Sequence, residues 1–336
     1  MILMRILVTG GAGYVGSHCA RALCDVGHEV VVFDNLLKGH REAVPRPATL
    51  VVGDLADGAL VDQTLADGRF DAVMHFAAWS EVGESVLDPL RYYQNNVSNS
   101  VALLDAMRRH NIQRFIFSSS CSVYGIPATV PITEAMPKNP INPYGRTKLA
   151  IEWSLEDSAA AWGLGATALR YFNAAGASVD GSIGEDHDPE SHIIPRVLMV
   201  ALGRCDCVNI FGDDYSTRDG TCIRDYIHVE DLAVVHRLAI ENQPAGVFRA
   251  YNVGTGLGVS VAELVSAARD VTGHPIPTKI GLRRPGDPPE LVADASRIMA
   301  EFGWKPVFTD IRRTIETAWN WHRQRAVVPP VRTQSF

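Results

Sequence analysis

Short apolar runs alternate with longer amphipathic stretches along the first half of the chain. Ile6-Leu7-Val8 is broken by Thr9-Gly10-Gly11-Ala12-Gly13, and residues 15–26 then read as a helix that Gly27 ends. Glu29-Val30-Val31-Val32-Phe33 is the next strand, closing at Asp34. Further apolar runs follow at 49–52, 72–76, 115–117 and 166–169. Helical stretches separate them, notably 90–109 and 145–161. Continuous apolar strands alternating with helices predict a parallel sheet covered on both faces, an α/β, Rossmann-like doubly wound fold.

The pattern changes after Tyr171. Residues 174–190 hold several Gly, Asp and Pro and read as loop. Beyond them strands are expected to be fewer, with short helices at 195–202, 229–240, 260–271 and 311–322. This predicts a smaller C-terminal α/β substrate lobe. The expected division is 1–172 for the Rossmann domain and 173–325 for the lobe, with segments near 225–255 returning to the sheet. A poorly ordered tail is expected over 326–336.

Composition narrows the function classes. Of 336 residues 46% are hydrophobic and 21% charged, as in a packed globular chain. A net charge of −7 argues against a nucleic-acid partner, though a local basic pocket for phosphate stays open. The six cysteines, Cys19, Cys24, Cys121, Cys205, Cys207 and Cys222, form no C-x-x-C pair, so no metal site is expected. No secretory leader or membrane-length apolar run is read, which makes a reducing cytoplasm the expected compartment.

Gly10, Gly13 and Gly16 recur at spacing three, with a strand before them and a helix after. Such a turn lets a backbone approach a pyrophosphate and points free N–H groups at it. Asp34 lies 18 residues past Gly16 at a strand end, where a carboxylate meets ribose hydroxyls and repels a 2′-phosphate. Lys38 and Arg41 nearby argue the other way, but a strand-end acid is better fixed, so NAD is favoured over NADP. Asp54 is a candidate partner for the adenine amino group.

Tyr144-Gly145-Arg146-Thr147-Lys148 puts a tyrosine and a lysine on one helix face. Alone, such a pair is common on helix surfaces. A lysine cation and a positive nicotinamide ring are expected to lower the phenol, and a shift of ~3 units is ~4 kcal/mol. Ser118-Ser119-Ser120 follows a predicted strand, at the end of the sheet where ligand crevices lie. One of these hydroxyls can pass a proton to Tyr144.

With these motifs the sequence resembles the extended short-chain dehydrogenase/reductases, and more narrowly the UDP-glucose 4-epimerase family, over nearly the whole chain. The matching stretches are TGGAGYVGSH at 9–18, HFAA at 75–78, VGESV at 82–86, FSSSCSVYG at 117–125, NPYGRTK at 142–148, LRYFNAAG at 169–176, FGDDYSTRDGTCIRDYIHVED at 211–231, and 284–294. The 211–231 stretch is the most particular. The resemblance implies reversible C4 epimerisation of a UDP-hexose, through a transient 4-keto sugar, on tightly held NAD. It implies cofactor contacts at Tyr14, Val15, Asp34, Asn35, Asp54, Leu55, Phe76, Ala77, Asn96, Tyr144, Lys148 and Tyr171, besides the glycines. Ser120, Tyr144 and Lys148 become the catalytic set. Asn173, His192, Ile193, Asn209, Phe211, Arg224, Arg284 and Asp287 become the UDP-sugar contacts, with Ser120, and the two arginines neutralise a diphosphate.

The sequence departs from the family pattern in places. Ser80 stands where well-known members carry a lysine near the cofactor, so one positive contact is missing. His192 replaces an asparagine of some members. Leu291, smaller than the tyrosine of strict glucose/galactose enzymes, suggests tolerance for UDP-N-acetylhexosamines. Cys121, Ser122 and Val123 offer no additional acid, which argues against dehydratase chemistry. A 4-epimerase of UDP-xylose/UDP-arabinose or UDP-glucuronate is the runner-up, and a non-catalytic NAD-binding protein the rival of a different class. The resemblance also implies a homodimer paired through the 90–109 and 145–161 helices, to which Val97, Val101 and Leu104 are compatible contributors.

Overall fold

The computed structural model describes residues 2–284 and 286–327. Its strands are β1 (Arg5–Thr9), β2 (Glu29–Asp34), β3 (Thr49–Val52), β4 (Ala72–His75), β5 (Arg114–Ser120), β6 (Gly165–Tyr171), β7 (Asn173–Ala175), β8 (Val208–Phe211), β9 (Ile223–His228), β10 (Phe248–Val253), β11 (Gly258–Ser260), β12 (Thr278–Gly281) and β13 (Glu290–Leu291). Seven form one all-parallel sheet in the order β10-β6-β5-β4-β1-β2-β3. The strand order reverses beside β1, and in such sheets that is where a ligand crevice opens.

Alternation along the strands builds two cores. Ile6, Val8, Val30, Val32 and Met74 join one cluster, with Ala20 and Leu23 from the helix Tyr14–Cys24 and Leu232 and Val235 from the helix Val229–Glu241. Leu7, Val31, Val73 and Phe115 point the other way, onto Leu103 and Met107 of the helix Asn99–Arg109 and Ile151 and Leu155 of the helix Pro143–Trp162. Both faces are therefore covered, as the unbroken apolar strands require.

A separate core fills the C-terminal lobe, from Val197 and Leu198, Leu264 and Val265, Ile315 and Trp319. There β9 pairs with β7, β11 and β13, and β8 pairs with β12. Of the 225–255 segment, β10 lies in the main sheet beside β6, whereas β9 stays in the lobe. Fewer strands were expected after Tyr171, yet seven of the thirteen among the described residues lie there. They are short and mixed in polarity, so no apolar run marks them. The 90–109 stretch is not one α-helix: Pro89–Tyr92 and Asn99–Arg109 flank a π-helical turn at Tyr93–Ser98. The last helix, Ile311–Val327, takes in the first two residues of the expected tail, and 328–336 lie outside the described residues. No helix among the described residues is long and apolar enough to cross a membrane.

Candidate active site

A cavity of about 430 Å³ opens at the carboxyl ends of β1, β2, β4, β5 and β6 and is closed on its far side by the lobe. The glycine turn forms its floor. Gly10 has φ +71°, and a Cβ there would sit 2.5 Å from the Ala77 nitrogen. A Cβ on Gly16 would lie 2.1 Å from the Gly10 carbonyl oxygen. Both positions therefore demand glycine. The helix Tyr14–Cys24 starts at Gly13 with no side chain capping it, and Gly13, Tyr14, Val15 and Gly16 line the cavity. Its first-turn N–H groups and dipole suit a pyrophosphate.

The acids expected around the cofactor are held in place. Asp34 is buried, and its two oxygens accept from the Ala12 nitrogen at 3.0 Å and the Leu36 nitrogen at 2.9 Å. Asp54 accepts from the Asn35 amide at 2.7 Å and from the Ala56 nitrogen at 2.8 Å. These residues line the cavity with Leu55, Phe76 and Ala77, except Ala12, Leu36 and Ala56. The Lys38 ammonium donates to the Asp188 carbonyl at 2.6 Å, and Arg41 lies outside the lining. The basic side chains that argued for NADP are thus engaged or remote, and this floor fits NAD. Asn96 sits apart from the other expected cofactor contacts. It is fully buried and outside the lining, with its amide bonded to both the nitrogen and the carbonyl of Trp79 and to Thr147. The π-turn aims it inward, so it braces the Trp79 loop.

Asn142 caps the helix Pro143–Trp162 by accepting from the Gly145 nitrogen at 2.8 Å, with Pro143 preset for the first turn. Tyr144 and Lys148 then fall on the face toward β5. The Lys148 ammonium donates to the Ser118 carbonyl at 2.8 Å and lies 5.7 Å from the centre of the Tyr144 ring. Ser120 donates to the Ser122 hydroxyl at 3.1 Å, and Ser118 bonds the Tyr171 hydroxyl at 2.8 Å. Ser120, Tyr144, Lys148 and Tyr171 all line the cavity. Burial lowers Lys148 to about 7, against the opposing pull of Glu152. In the protein alone burial, with Tyr171 adding to it, pushes the Tyr144 phenol far above its ordinary value, and Ser120 offsets only part. Desolvation of a phenolate outweighs a lysine that is itself partly neutral.

The lobe contributes Asn173, His192, Ile193, Arg224, Tyr226 and Leu291 to the lining. Asn209, Phe211, Arg284 and Asp287 stand outside it. Asn209 and Phe211 share the exposed face of β8, and the Arg284 guanidinium lies 4.1 Å over the Phe211 ring. Asp287, expected at the UDP-sugar, is ion-paired to Arg224. Sequence reasoning passed over Glu185, His187 and Glu190. With His192 they form a cluster whose donor atoms lie within 4.8 Å of one another, against Tyr14. His192 bonds Glu185, and the His187 ring nitrogen is 3.3 Å from Glu185 and 3.8 Å from Glu190. Burial works against both charged forms, but the pairing wins: Glu185 is held at about 2 and His187 rises to about 10. The spacing E-x-H-x-x-E-x-H in a loop was the available signal.

Residues 6–254 match the family described as NAD dependent epimerase/dehydratase. The chain belongs to that family. A relative from Corynebacterium glutamicum, named UDP-glucose 4-epimerase, is 51% identical over 94% of this chain and 95% of its own. The solved UDP-glucose 4-epimerase of Brucella ovis in complex with NAD is 50% identical, with a TM-score of 0.90 over 94% of this chain and 97% of that one. The Bifidobacterium longum enzyme in complex with NAD+ and UDP is 40% identical, with a TM-score of 0.91 over 95% and 98%. The glycine turn, the uncapped helix start and Asp34 are what such a dinucleotide requires.

Proposed function

We propose that the chain interconverts the C4 epimers of a UDP-hexose, UDP-galactose and UDP-glucose, on a retained NAD. The observation that carries this is one cavity lined at once by the dinucleotide turn, by Tyr144, Lys148 and Ser120, and by Arg224. The names of the relatives support the same reading.

NAD, when bound, supplies the hydride acceptor and a positive ring; Gly10, Gly13, Tyr14, Val15, Gly16, Asp34, Asn35, Asp54 and Tyr171 would hold it. Tyr144 takes the proton of the sugar 4-hydroxyl, directly or through Ser120, and returns it when the 4-keto sugar is reduced on its other face. Lys148 favours the phenolate, and the protein alone leaves the phenol high, so charge arriving with the cofactor must help lower it. Arg224 holds the diphosphate, with Asn173, His192 and Ile193 beside it. Anchoring by the remote UDP keeps the sugar bound while it turns. Asp287 must release part of Arg224 for this, and Asn209, Phe211 and Arg284 join only if the lobe closes on the ligand.

Leu291 on the lining supports acceptance of the N-acetylhexosamine pair, and turnover of UDP-GlcNAc tests it. For a dimer, Leu90, Val101 and Trp153 offer exposed apolar surface on the paired helices, 78%, 47% and 59% exposed. Leu104 does not contribute, because it belongs to the chain's own core. The six free thiols fit a reducing cytoplasm. The decisive experiment is Tyr144→Phe. Loss of UDP-galactose turnover by ~10³-fold, with NAD still bound, is expected of a general base; parental turnover overturns the mechanism.

A further inference from the structure

Beneath the three serines lies a buried charge that the reaction scheme does not use. Glu152 is one turn beyond Lys148 on the same helix and is 2% exposed. Its carboxylate accepts from the Ser119 hydroxyl at 2.6 Å. Arg170 grips it with two donors, Nε at 2.9 Å and Nη2 at 2.6 Å on different oxygens. The remaining arm of Arg170 donates to the Tyr124 hydroxyl at 2.8 Å, which donates to Asn252 at 2.7 Å. A forked pair of this kind fixes the carboxylate in orientation as well as position.

The geometry couples three elements. Ser118, Ser119 and Ser120 are consecutive on β5: the first holds Lys148 through its carbonyl, the second holds Glu152, and the third lines the cavity. Arg170 belongs to β6, and Tyr144, Lys148 and Glu152 to one helix. We propose that Glu152 is a positioning residue of the reaction: one helical turn from Lys148, it is the buried charge that opposes loss of the ammonium, and it pins the serine strand to the Tyr144 helix. This rests on the epimerase reading for the roles of Tyr144 and Lys148. A buried ammonium is driven toward its neutral amine, and Glu152 is the charge that opposes it. The other groups around the pair do not replace it. Tyr171 on β6, Cys121 after β5 and Tyr92 before the π-turn all disfavour the Tyr144 phenolate. His75 on β4 is buried and held neutral, in part by Lys148 itself. Glu152 and Arg170 also border a second cavity with Glu134, Lys138, Glu156, Arg249 and Arg297, and neither Tyr144 nor Lys148 lines it.

The test titrates the near-ultraviolet phenolate band of Tyr144 in the NAD-loaded enzyme, taken as the difference from Tyr144→Phe. In Glu152→Gln the Tyr144 midpoint is expected to rise by about 1 unit or more, because a less cationic Lys148 stabilises the phenolate less. Turnover at neutral pH falls about tenfold with it, chiefly in kcat. Glu152→Asp, which keeps the charge, returns the midpoint to the parental value. If Glu152→Gln does not fold because Arg170 is left unpaired, the double variant Glu152→Gln/Arg170→Met removes both charges and gives the same direction of shift. A midpoint unchanged in the folded variant overturns the proposal, even where turnover falls. Absence of UDP-galactose turnover in the parent with the shift intact overturns the substrate reading and leaves Glu152 in its role.

Discussion

On the sheet side of the cavity, Gly10, Asp34, Ser120 and Tyr171 stand at the ends of parallel strands covered on both faces, and each polar group already has a fixed backbone or hydroxyl partner. On the lobe side, Arg224, Leu291, Asn209 and Phe211 come from strands of two to six residues in small sheets. There the charged groups face each other, Arg224 on Asp287 and His187 and His192 on Glu185. The sheet side is rigid enough to hold a dinucleotide in one geometry. On the proposed reading, the lobe side exchanges internal ion pairs for contacts with a diphosphate, which lowers the affinity gained from each charge but lets the sugar come and go.

The strongest way to break this contrast is Gly16→Ala. One methyl group would meet the Gly10 carbonyl at 2.1 Å, so helix and turn must part. NAD retained through gel filtration should fall below detection, a loss of several kcal/mol, while UDP binding to the lobe changes far less. Full NAD content in the folded variant would show that the sheet side is not rigid.

A smaller effect is expected from Glu185→Gln, which takes the buried carboxylate away from two imidazoles, the half-buried His187 and the exposed His192. Unfolding by urea at pH 7 should show a loss of ~2 kcal/mol, the scale of a hydrogen bond to a charged group. Glu185 is held at about 2 against an ordinary 4.5, so its contribution is present above the ordinary value and is lost as pH falls toward 2. His187 works in the other direction: raised from 6.5 to about 10, its contribution is complete below 6.5 and is lost as pH rises through 10. The variant should therefore have a flatter stability profile at both ends, and an unchanged acid limb would place the stabilisation elsewhere.

The two sides also differed in how far they could be read from sequence. Unbroken apolar strands and the glycine spacing identify the main sheet, and Asp34, Tyr144 and Ser120 follow from positions at strand and helix ends. The lobe strands carry no such pattern: β8 alternates buried and exposed over four residues and β12 is mostly exposed. The Arg224 and Asp287 pair joins residues 63 apart in sequence, beyond the reach of local spacing. The inward setting of Asn96 was not legible, because it lies on a π-turn, which no propensity marks. The Tyr144 phenol depends on burial as well as on the charges beside it, and a motif does not contain burial.

On the lobe side, Arg224→Ala should weaken UDP-sugar binding by ~2 kcal/mol, about 30-fold in KM, and leave NAD content unchanged. Removing the guanidinium also frees Asp287 to repel a diphosphate. Asp287→Asn separates the two contributions: it keeps Arg224 and removes its competitor, so it should tighten binding if the internal pair opposes the ligand. Weaker binding in Asp287→Asn would mean that Asp287 touches the ligand itself.

The smallest expected effect lies where the two sides meet. Lys38, on the loop after β2, donates to the Asp188 carbonyl, and His40 on the same loop reaches the Asp186 carbonyl at 2.9 Å. Both therefore tie the 184–192 loop, which carries the histidine cluster, across the dinucleotide cleft. Lys38→Met keeps most of the side-chain length and removes the donor. It should speed NAD release a few-fold, about 1 kcal/mol, with no gain in NADP binding, because the ammonium serves the loop and not a phosphate. Ser80→Lys should act oppositely, adding a positive group to the cavity wall and slowing release. If Lys38→Met instead abolishes a measurable NADP affinity in the parent, Lys38 reads the cofactor directly, and the fixed floor extends to the loop after β2.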